Sequence, residues 1–461
     1  MKALFILPLT DPIFPFQIAS LSSFLKKEGH LVDYLQLMIR GDLTDAQKAE
    51  ARDKAREFKP DIIGLSCYEM TFEWVKDIAD VIKTGYKDGL VIAGGYYPTL
   101  SPEEVLNHPS IDMVCIGEGE GPLADLGRAL RENKADPNEN IDNIWFKKGN
   151  RIIKNKVRPL AKNLDALPFV DRAFFDYQRY INNFAKTSGN RILEIMGSRG
   201  CPFNCTYCSN HAFRKIYPDA SDYVRQRSVE NILDEIGTCR ENFEFEAVFF
   251  HDDTFTFSKK WLSQFCELYP RRFKMPFYCN VRVETVGEPE MEMLKSAGCG
   301  MISVGVESGD ESIRKEVLNR IVKDSQIKKV FALARKHRID AKSFNMVGMP
   351  GETIISLMKT VRLNLVMGPK YVQTSVFYPF RGTELGDFCY RNNMVDAEKK
   401  KKLRLYADDS ILKLGIPNYV IRLAKWCVSA TALRRNFFEM FRLGLRVFLR
   451  RFTIGIGAIE K

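Results

Sequence analysis

The sequence has no run of about 18 uncharged apolar residues, so no membrane-spanning helix is expected. The N-terminal run Met1 to Phe14 is apolar but has no small-residue cleavage site, and we interpret it as a first β-strand rather than a signal peptide. Without an export signal the protein is expected in the cytoplasm. Its 11 cysteines are then interpreted as metal ligands or buried thiols rather than as a disulfide framework.

Composition is that of a globular protein. Apolar residues make up 45% and charged residues 28% of the 461 positions, which excludes a disordered chain, a collagen-like fibre and a coiled-coil rod. Charge is uneven, because residues 396–461 contain 15 basic and 6 acidic residues and so carry +9 of the net +11. Such an excess favours anions, acidic membrane surfaces or nucleic acid, and is equally compatible with a solvated helical face.

Residues 1–135 alternate strand and helix patterns, which predicts an α/β fold with a doubly wound, Rossmann-like parallel sheet. Ligands of such sheets bind at the carboxyl ends of the strands. The predicted strand ends carry Pro8 to Pro15, Ser66, Gly94, Gly95 and the run Gly117, Glu118, Gly119, Glu120. Residues 136–188, rich in proline and turn residues with a short hairpin near Gly149, are interpreted as a packed connector without sustained helical periodicity.

A second βα series follows over residues 189–385. Its six strand candidates include ILEIMGSR and AVFFHDD, and they predict a partial (β/α)6 barrel of parallel strands with its active site at the strand C-termini. Residues 386–461 form a basic helical C-terminal region with apolar and basic residues at helical spacing. This region is compatible with a cap over the active site, a terminal bundle or a helix lying on a membrane surface.

Three closely spaced cysteines, Cys201, Cys205 and Cys208, directly follow the predicted strand ILEIMGSR. Thiolates suit iron–sulfur or zinc sites, and most such sites use four protein ligands. No fourth cysteine lies nearby, although His211 is close enough to complete a zinc site. Three thiolates on a four-iron cluster would leave one iron open to a small molecule. The other eight cysteines are expected to be packing residues.

The C-x3-C-x2-C spacing, with Tyr207 before the last cysteine, resembles the radical S-adenosylmethionine (SAM) superfamily. The resemblance implies a 4Fe-4S cluster whose open iron chelates SAM, and a 5′-deoxyadenosyl radical that abstracts a substrate hydrogen atom. It also implies SAM contacts at successive strand ends. These contacts are Asp252 and Asp253 for the amino group, Arg282, then Glu307 and Ser308, and Gly348 in a glycine motif beside the adenine.

The segments DIIGLSCYEMT, VIAGGYYPTLSPEEVL and IDMVCIGEGEGPL resemble the cobalamin-binding domain that precedes many radical SAM domains. The resemblance implies that Ser66, Thr71 and Thr99 meet the nucleotide tail. It places Gly94 and Gly95 close to the ligand, with Gly117, Glu118, Gly119 and Glu120 lining the same pocket. A fold of this type without a ligand is the alternative. None of the five histidines lies in a D-x-H-x-x-G signature, so cobalamin is expected without a histidine ligand of that signature.

Together these resemblances imply a cobalamin-dependent radical SAM methyltransferase. It would act on an unactivated carbon of a small-molecule or lipid-like substrate, with an electron donor such as flavodoxin or ferredoxin. The same architecture also supports cyclisation, rearrangement and oxidative reactions. Methylthio transfer to tRNA is disfavoured because only Cys67 and Cys115 precede the triad, and nucleic acid is not an expected partner. A non-catalytic corrinoid sensor would not need an open iron.

Overall fold

The structure, a computed structural model, describes residues 1–11, 13–132, 140–402 and 409–433. The chain divides into two compact units. The first consists of Met1–Asp253 and Tyr378–Ala407, and the second of Thr254–Phe377 and Asp408–Lys461.

The described residues contain fifteen strands. They are β1 Lys2–Leu9, β2 Leu31–Met38, β3 Ile62–Ser66, β4 Leu90–Gly94, β5 Met113–Cys115, β6 Ile144–Lys148, β7 Arg151–Lys154, β8 Ile192–Ile195, β9 Ser198–Arg199, β10 Arg225–Gln226, β11 Ala247–Phe250, β12 Phe277–Val281, β13 Cys299–Glu307, β14 Asp340–Val347 and β15 Tyr371–Val376. The helices are α1 Phe16–Lys27, α2 Asp45–Phe58, α3 Phe72–Gly85, α4 Tyr96–Leu100, α5 Pro102–Leu106, α6 Glu120–Arg131, α7 Tyr177–Ser188, α8 Ser209–Arg214, α9 Val229–Asn242, α10 Lys259–Arg272, α11 Glu288–Ser296, α12 Asp324–Lys336, α13 Ile354–Met367, α14 Glu384–Arg391, α15 Ala397–Lys402 and α16 over 418–433.

The first unit is built on a seven-stranded sheet in the order β2-β1-β3-β4-β5-β6-β7. Strands β1 to β5 are parallel, as the alternating sequence predicts. The strand order reverses between β1 and β3, and this is the switch point at which doubly wound sheets open a ligand crevice. Helix α3 shows why the sheet is covered, since Val75, Ile78 and Ile82 recur at helical spacing and are fully buried.

The predicted connector is more ordered than its sequence indicates. Strands β6 and β7 form the expected hairpin, but β6 also pairs antiparallel with β5 and so extends the sheet. Burial of Ile144 and Phe146 accounts for this pairing. The expectation of no sustained helix is wrong over Tyr177–Ser188, where Tyr177 and Ile181, four residues apart, are both buried.

Strands β8 and β11 pair in parallel, with Ile192 opposite Ala247. The predicted strand ILEIMGSR is interrupted at Met196 and Gly197, and its end forms the separate strand β9, which pairs antiparallel with β10. The interruption has a specific cause. The Gly197 N–H donates to Asp252 Oδ2 (3.0 Å) and the Gly197 carbonyl accepts from the Arg227 N–H (2.8 Å), so neither group pairs with β11.

The second unit contains four parallel strands in the order β15-β14-β13-β12. One face of these strands packs on helices, as shown by Ser343, whose hydroxyl donates to Asn364 of α13 (2.8 Å), and by Phe277, whose ring meets Phe265 of α10 at 5.3 Å. With β8 and β11 of the first unit, all six strands of the predicted barrel series are present.

Helix α16 packs against the strands of the second unit. Its residues Ile421 and Ala424 share a buried cluster with Val347 of β14 and Leu357 of α13. Within the described residues, no helix combines the length and apolar character needed to cross a bilayer.

Candidate active site

Exposed apolar side chains follow β1 and β4 at the carboxyl edge of the seven-stranded sheet. Gly95 has a φ of +108°, and a side chain there would lie 3.1 Å from the Cys67 carbonyl, so the turn after β4 requires glycine. The next residue, Tyr96, is 37% exposed, and Ile13 after β1 is 56% exposed. Exposed apolar side chains beside a glycine turn suit a large, flat ligand.

The predicted hydroxyl groups at this edge differ in what they do. Thr99 accepts a hydrogen bond from the Gly117 N–H (3.0 Å), and Thr71 accepts one from the Tyr68 N–H (3.0 Å). Both hydroxyls therefore hold the loops in shape. Ser66, half-buried, ends β3 beside Gly94, with which it pairs across the sheet. Contact of any of these groups with a nucleotide tail stays a prediction.

The loop after β5 is held by ion pairs to β9 and β10, the two paired strands that flank the cysteine loop. Both terminal guanidinium nitrogens of Arg225 donate to the Glu118 carboxylate, at 2.6 and 3.1 Å. Arg199 donates to the Glu120 carboxylate at 2.6 Å. A side chain at Gly117 would lie 2.4 Å from the Tyr217 hydroxyl, so this glycine is needed for close packing of protein on protein. Gly119, at the N-terminus of α6, is half-buried. Pocket roles for these four residues remain predictions.

The three cysteines lie in one loop between β9 and α8. Cys201 and Cys205 are 8% and 4% exposed, and Cys208 is half-buried at the start of α8. The Cys208 N–H donates to the Cys205 carbonyl (3.1 Å), which closes a tight turn around Tyr207. The carbonyl of Thr206 accepts from the Leu385 N–H (2.9 Å), so α14 also supports the loop.

Tyr96 connects the sheet edge to the cysteine loop. Its ring stacks on Tyr68 at 5.4 Å and meets Phe213 of α8 at 5.0 Å. Its hydroxyl is hydrogen-bonded to Ser209, the residue after Cys208. Sequence reasoning missed this residue, although its position directly after a glycine pair at a strand end is a usable signal.

The end of β11 lies beside the same loop. Asp252 is 1% exposed and its Oδ2 accepts from the Gly197 N–H, while the Asp253 side chain is hydrogen-bonded to Asn210 of α8. Burial raises the pKa of both carboxyl groups. His251, just before them, contacts Phe16 edge to face at 5.6 Å, which joins this strand end to the start of α1.

The second unit holds the remaining predicted residues at its own strand ends. Arg282 is paired with Glu284 (2.6 Å), and Glu307, at a φ of +66°, accepts from Arg320 (3.0 Å). The Ser308 hydroxyl accepts from the Asp310 N–H (3.2 Å).

The glycine motif after β14 surrounds a buried carboxylate. The N–H groups of Gly348 and Met349 donate to Glu352 Oε2 at 2.6 and 3.0 Å. Burial raises the pKa of Glu352 to about 7. Within the part of the chain that the structure describes, Glu352 Oε1 has no hydrogen-bond partner. Glu352 Oε1 is therefore available to accept a hydrogen bond beside the turn at Gly348, whose φ is +79°.

Comparison with known families identifies both halves of this arrangement. Residues 6–127 match the B12 binding domain, and residues 195–363 match the radical SAM superfamily. The chain belongs to the radical SAM superfamily and carries a B12-binding domain. It is thus a cobalamin-dependent radical SAM enzyme. The two matches lie within the predicted domains 1–135 and 189–385, whose exact boundaries remain predictions.

Related proteins catalyse more than one reaction. The chain is 27% identical to the uncharacterized methyltransferase PH0819 of Pyrococcus horikoshii, over 91% of this chain and 92% of that protein. It is 26% identical to the anaerobic magnesium-protoporphyrin IX monomethyl ester cyclase of Cereibacter sphaeroides, over 80% of this chain and 59% of that one. The structure of the radical SAM methyltransferase TsrM from Kitasatospora setae, with cobalamin and a 4Fe-4S cluster bound, shares the fold. Its TM-score is 0.68 at 18% identity, covering 85% of this chain and 75% of TsrM.

The cysteine loop of this radical SAM enzyme fits a multi-iron cluster better than a single ion. Burial raises the pKa of Cys208 to about 12, and the neighbouring Cys205 and Cys201 thiols add to the effect, so the three sulfurs lie near one another. Three thiolates on one zinc ion would lie about 3.8 Å apart. Among the described residues, however, the only three such ligand atoms within 4.8 Å of one another belong to Glu288, Glu292 and His337.

The Nε2 atom of His211 faces Glu384 at 3.4 Å and not the cysteines. This arrangement gives no support to the zinc alternative. The B12 domain also fits its cofactor, since the exposed Ile13 and Tyr96 and the glycine turn after β4 lie at the carboxyl ends of its parallel strands. The predicted lack of a histidine ligand to cobalt remains a prediction.

A polar row that sequence reasoning missed crosses the four strands of the second unit. Strand register places Asn280 beside Ser303, Ser303 beside Lys342, and Lys342 beside Tyr371. All four lie on the face opposite the helices. Asp340, on the same face, is paired with Lys370 (2.6 Å), and no ion pair to Lys342 is found among the described residues. The row offers one cation and three neutral polar groups.

Proposed function

We propose that this protein is a methyltransferase that adds a methyl group to an unactivated carbon of a small-molecule or lipid-like substrate. The observation that supports the proposal best is the contact of the β4 edge with the cysteine loop inside one compact unit. Tyr96 touches both Tyr68 at the sheet edge and Phe213 beside the cysteines. A corrinoid at this edge and a cluster in this loop would be neighbours, as a shared substrate requires.

The chain's own residues would hold and orient the cofactors. Cys201, Cys205 and Cys208 would bind the cluster, and Asp253, hydrogen-bonded to Asn210, offers a carboxylate to the amino group of SAM. When bound, the cluster, SAM and cobalamin supply radical formation and methyl transfer. The protein supplies orientation, because Arg199 and Arg225 fix the two strands that flank the cysteine loop, β9 and β10, against the B12 domain. A flavodoxin- or ferredoxin-like electron donor is part of the proposal.

Cyclisation is the second candidate. It is supported by the cyclase of Cereibacter sphaeroides, which aligns with 80% of this chain at an identity close to that of the methyltransferase PH0819. Methylthio transfer has no comparable support. Cys67 and Cys115, the two cysteines before the triad, are buried in the first unit and are too few and too far apart in sequence to form a second triad.

The experiment begins with the full chain reconstituted anaerobically with iron, sulfide and hydroxocobalamin. About four irons and one retained corrinoid per chain are expected. The reduced protein is then given SAM labelled in its methyl group, without any substrate. A methyltransferase should place the label in the protein-bound corrinoid fraction, whereas a cyclase should release 5′-deoxyadenosine and leave the corrinoid unlabelled.

The matched controls are Cys205→Ala and Cys266→Ala. Cys205 lies in the triad, while Cys266 is a buried cysteine of α10 in the second unit. The first variant should lose iron and 5′-deoxyadenosine formation, and the second should keep both. A reconstituted protein that retains no corrinoid would refute the proposed methyl transfer.

A further inference from the structure

Two helices of the second unit, α13 and α16, are covered on one side and open on the other. On the inner side, Leu357 of α13 shares a buried cluster with Ile421 and Ala424 of α16. That packing accounts for the apolar residues on the inner side of these helices, but not for those on the outer side.

The outer side of both helices is apolar. The described residues include eighteen exposed large apolar side chains, and nine of them lie on these two helices. On α16 they are Tyr419, Leu423, Trp426 and Leu433, which are 65%, 57%, 67% and 66% exposed. On α13 they are Ile354, Ile355, Met358, Leu365 and Val366. Exposed apolar side chains concentrated on neighbouring helices mark an interaction site.

The charge of this surface has one sign. The chain averages one acidic residue in eight, yet residues 353–383 and 410–438 contain none. The two helices carry Lys359, Arg362, Arg422 and Lys425. Lys359 and Arg422 reach acidic partners outside the helices, Asp310 and Asp409, at 2.8 and 3.0 Å. We call the outward residues of α13 and α16 the apolar-basic face.

We propose that the apolar-basic face docks the protein on an anionic lipid surface. Exposed Trp and Tyr on helices that carry cations and contain no acidic residue of their own are the features of helices that lie in a membrane interface. Anionic headgroups would neutralise the cations. A second copy of the chain would not, because a two-fold interface sets the same cations against one another.

The position of this face relates it to the SAM motif of the same unit. A side chain at Gly348 would meet Ile421 of α16 and Ser410 at 3.5 Å each. The inner side of α16 therefore lies against the glycine turn after β14, while its outer side carries Trp426. The inference does not rest on methyl transfer, since vesicle binding is measured without turnover.

The test uses the full chain and vesicles of phosphatidylglycerol or phosphatidylcholine. We expect the protein to co-sediment with phosphatidylglycerol vesicles at low salt and to be released at high salt. Trp426 is the most exposed tryptophan among the described residues, and its emission should shift to the blue on binding. Trp426→Phe should abolish the shift and keep the binding.

The double variant Leu423→Gln, Trp426→Gln should weaken vesicle binding about tenfold or more. Its matched control is Phe184→Gln on α7, which removes a side chain 47% exposed in the first unit and should bind as the parent does. Both variants change exposed positions, so unchanged circular dichroism and Tm are expected and exclude misfolding.

Three results would overturn the inference. The first is no binding to phosphatidylglycerol vesicles at low salt. The second is equal binding by the double variant and the parent. The third is a concentration-dependent dimer in light scattering that the double variant dissolves, because the occupant of the face would then be a second copy of the chain.

Discussion

The ion pair between Arg199 and Glu120 gives a quantitative test of how the cysteine loop is held. Arg199 lies two residues before Cys201, and its guanidinium is 2.6 Å from Glu120 and 3.4 Å from Glu118. The Glu120 side chain is only 10% exposed, and the Ser20 hydroxyl also donates to it at 2.8 Å. The pair thus joins the B12 domain to the radical SAM hairpin in a largely dry environment.

Glu120→Gln keeps the shape of the side chain and removes its charge. Removing one partner of a buried pair costs about 3–5 kcal/mol when the other charge is left alone. Here Glu118 remains near Arg199, so we expect the free energy of unfolding to fall by about 2–3 kcal/mol at pH 7. The double variant Glu120→Gln, Arg199→Met should be less destabilised than the sum of the single variants, by about 2 kcal/mol.

The pH dependence has a definite sign. Burial alone would raise the pKa of Glu120, but the charge and hydrogen bond of Arg199 outweigh it, so the pKa lies below its usual value. A depressed carboxyl pKa stabilises the folded state above the unfolded-state pKa and loses that effect as pH falls through the folded value. The difference between parent and Glu120→Gln should therefore persist at pH 7 and shrink below about pH 4.5.

Urea unfolding followed by circular dichroism measures these differences, with an unchanged m-value as the check on the unfolded state. Glu73→Gln is the control. Glu73 is 59% exposed and pairs with Lys76 at 2.8 Å, so its loss should change stability by less than about 1 kcal/mol. The reasoning is refuted if Glu120→Gln unfolds at the parent's midpoint, or if the double variant is strictly additive.

Three further predictions test other parts of the structure. Tyr96→Phe keeps both ring contacts and should retain hydroxocobalamin as the parent does, whereas Tyr96→Leu should weaken retention about tenfold in equilibrium dialysis; equal binding by the two variants would count against the contact with Phe213. The pKa of Glu352 is raised in the folded protein, so the folded state binds this proton more tightly than the unfolded state does. The free energy of unfolding should therefore fall by about 2–3 kcal/mol between pH 4.5 and 7. Glu352→Gln should flatten that pH profile, and an unchanged profile would contradict the assignment. Gly309→Ala would place a methyl group 2.3 Å from the Lys359 carbonyl and should lower Tm by several degrees, while Gly415→Ala, with nothing within 4 Å, should leave Tm unchanged.

The parts of the fold that depend on local pattern could be predicted from the sequence. Buried strands such as Ile62–Ser66 are short apolar runs that end in turn residues. The cysteine loop was also predictable, because its three cysteines lie within eight residues directly after such a run. The parallel order of β1 to β5 also follows, since strand and helix alternate.

Pairing between distant residues could not be predicted. From the sequence, Glu118 and Glu120 are predicted to be pocket residues because they follow a strand end. Their arginine partners lie 79 to 107 positions further along the chain, which the local pattern does not reveal. Likewise, strand β6 pairs with β5 only because folding brings Phe146 beside Met113. The row from Asn280 to Tyr371 depends on register across four strands, which no single segment encodes.

The division of the chain into two units has an evolutionary consequence. The cysteines, the sheet edge and Tyr96 all belong to the first unit, whereas Lys342 and the apolar-basic face belong to the second. The spacing between the proposed corrinoid and cluster sites is thus fixed by contacts inside one unit. Mutations in the other unit can accumulate without disturbing that spacing. A chain organised in this way can exchange one substrate for another while the spacing between its proposed corrinoid and cluster sites is inherited unchanged.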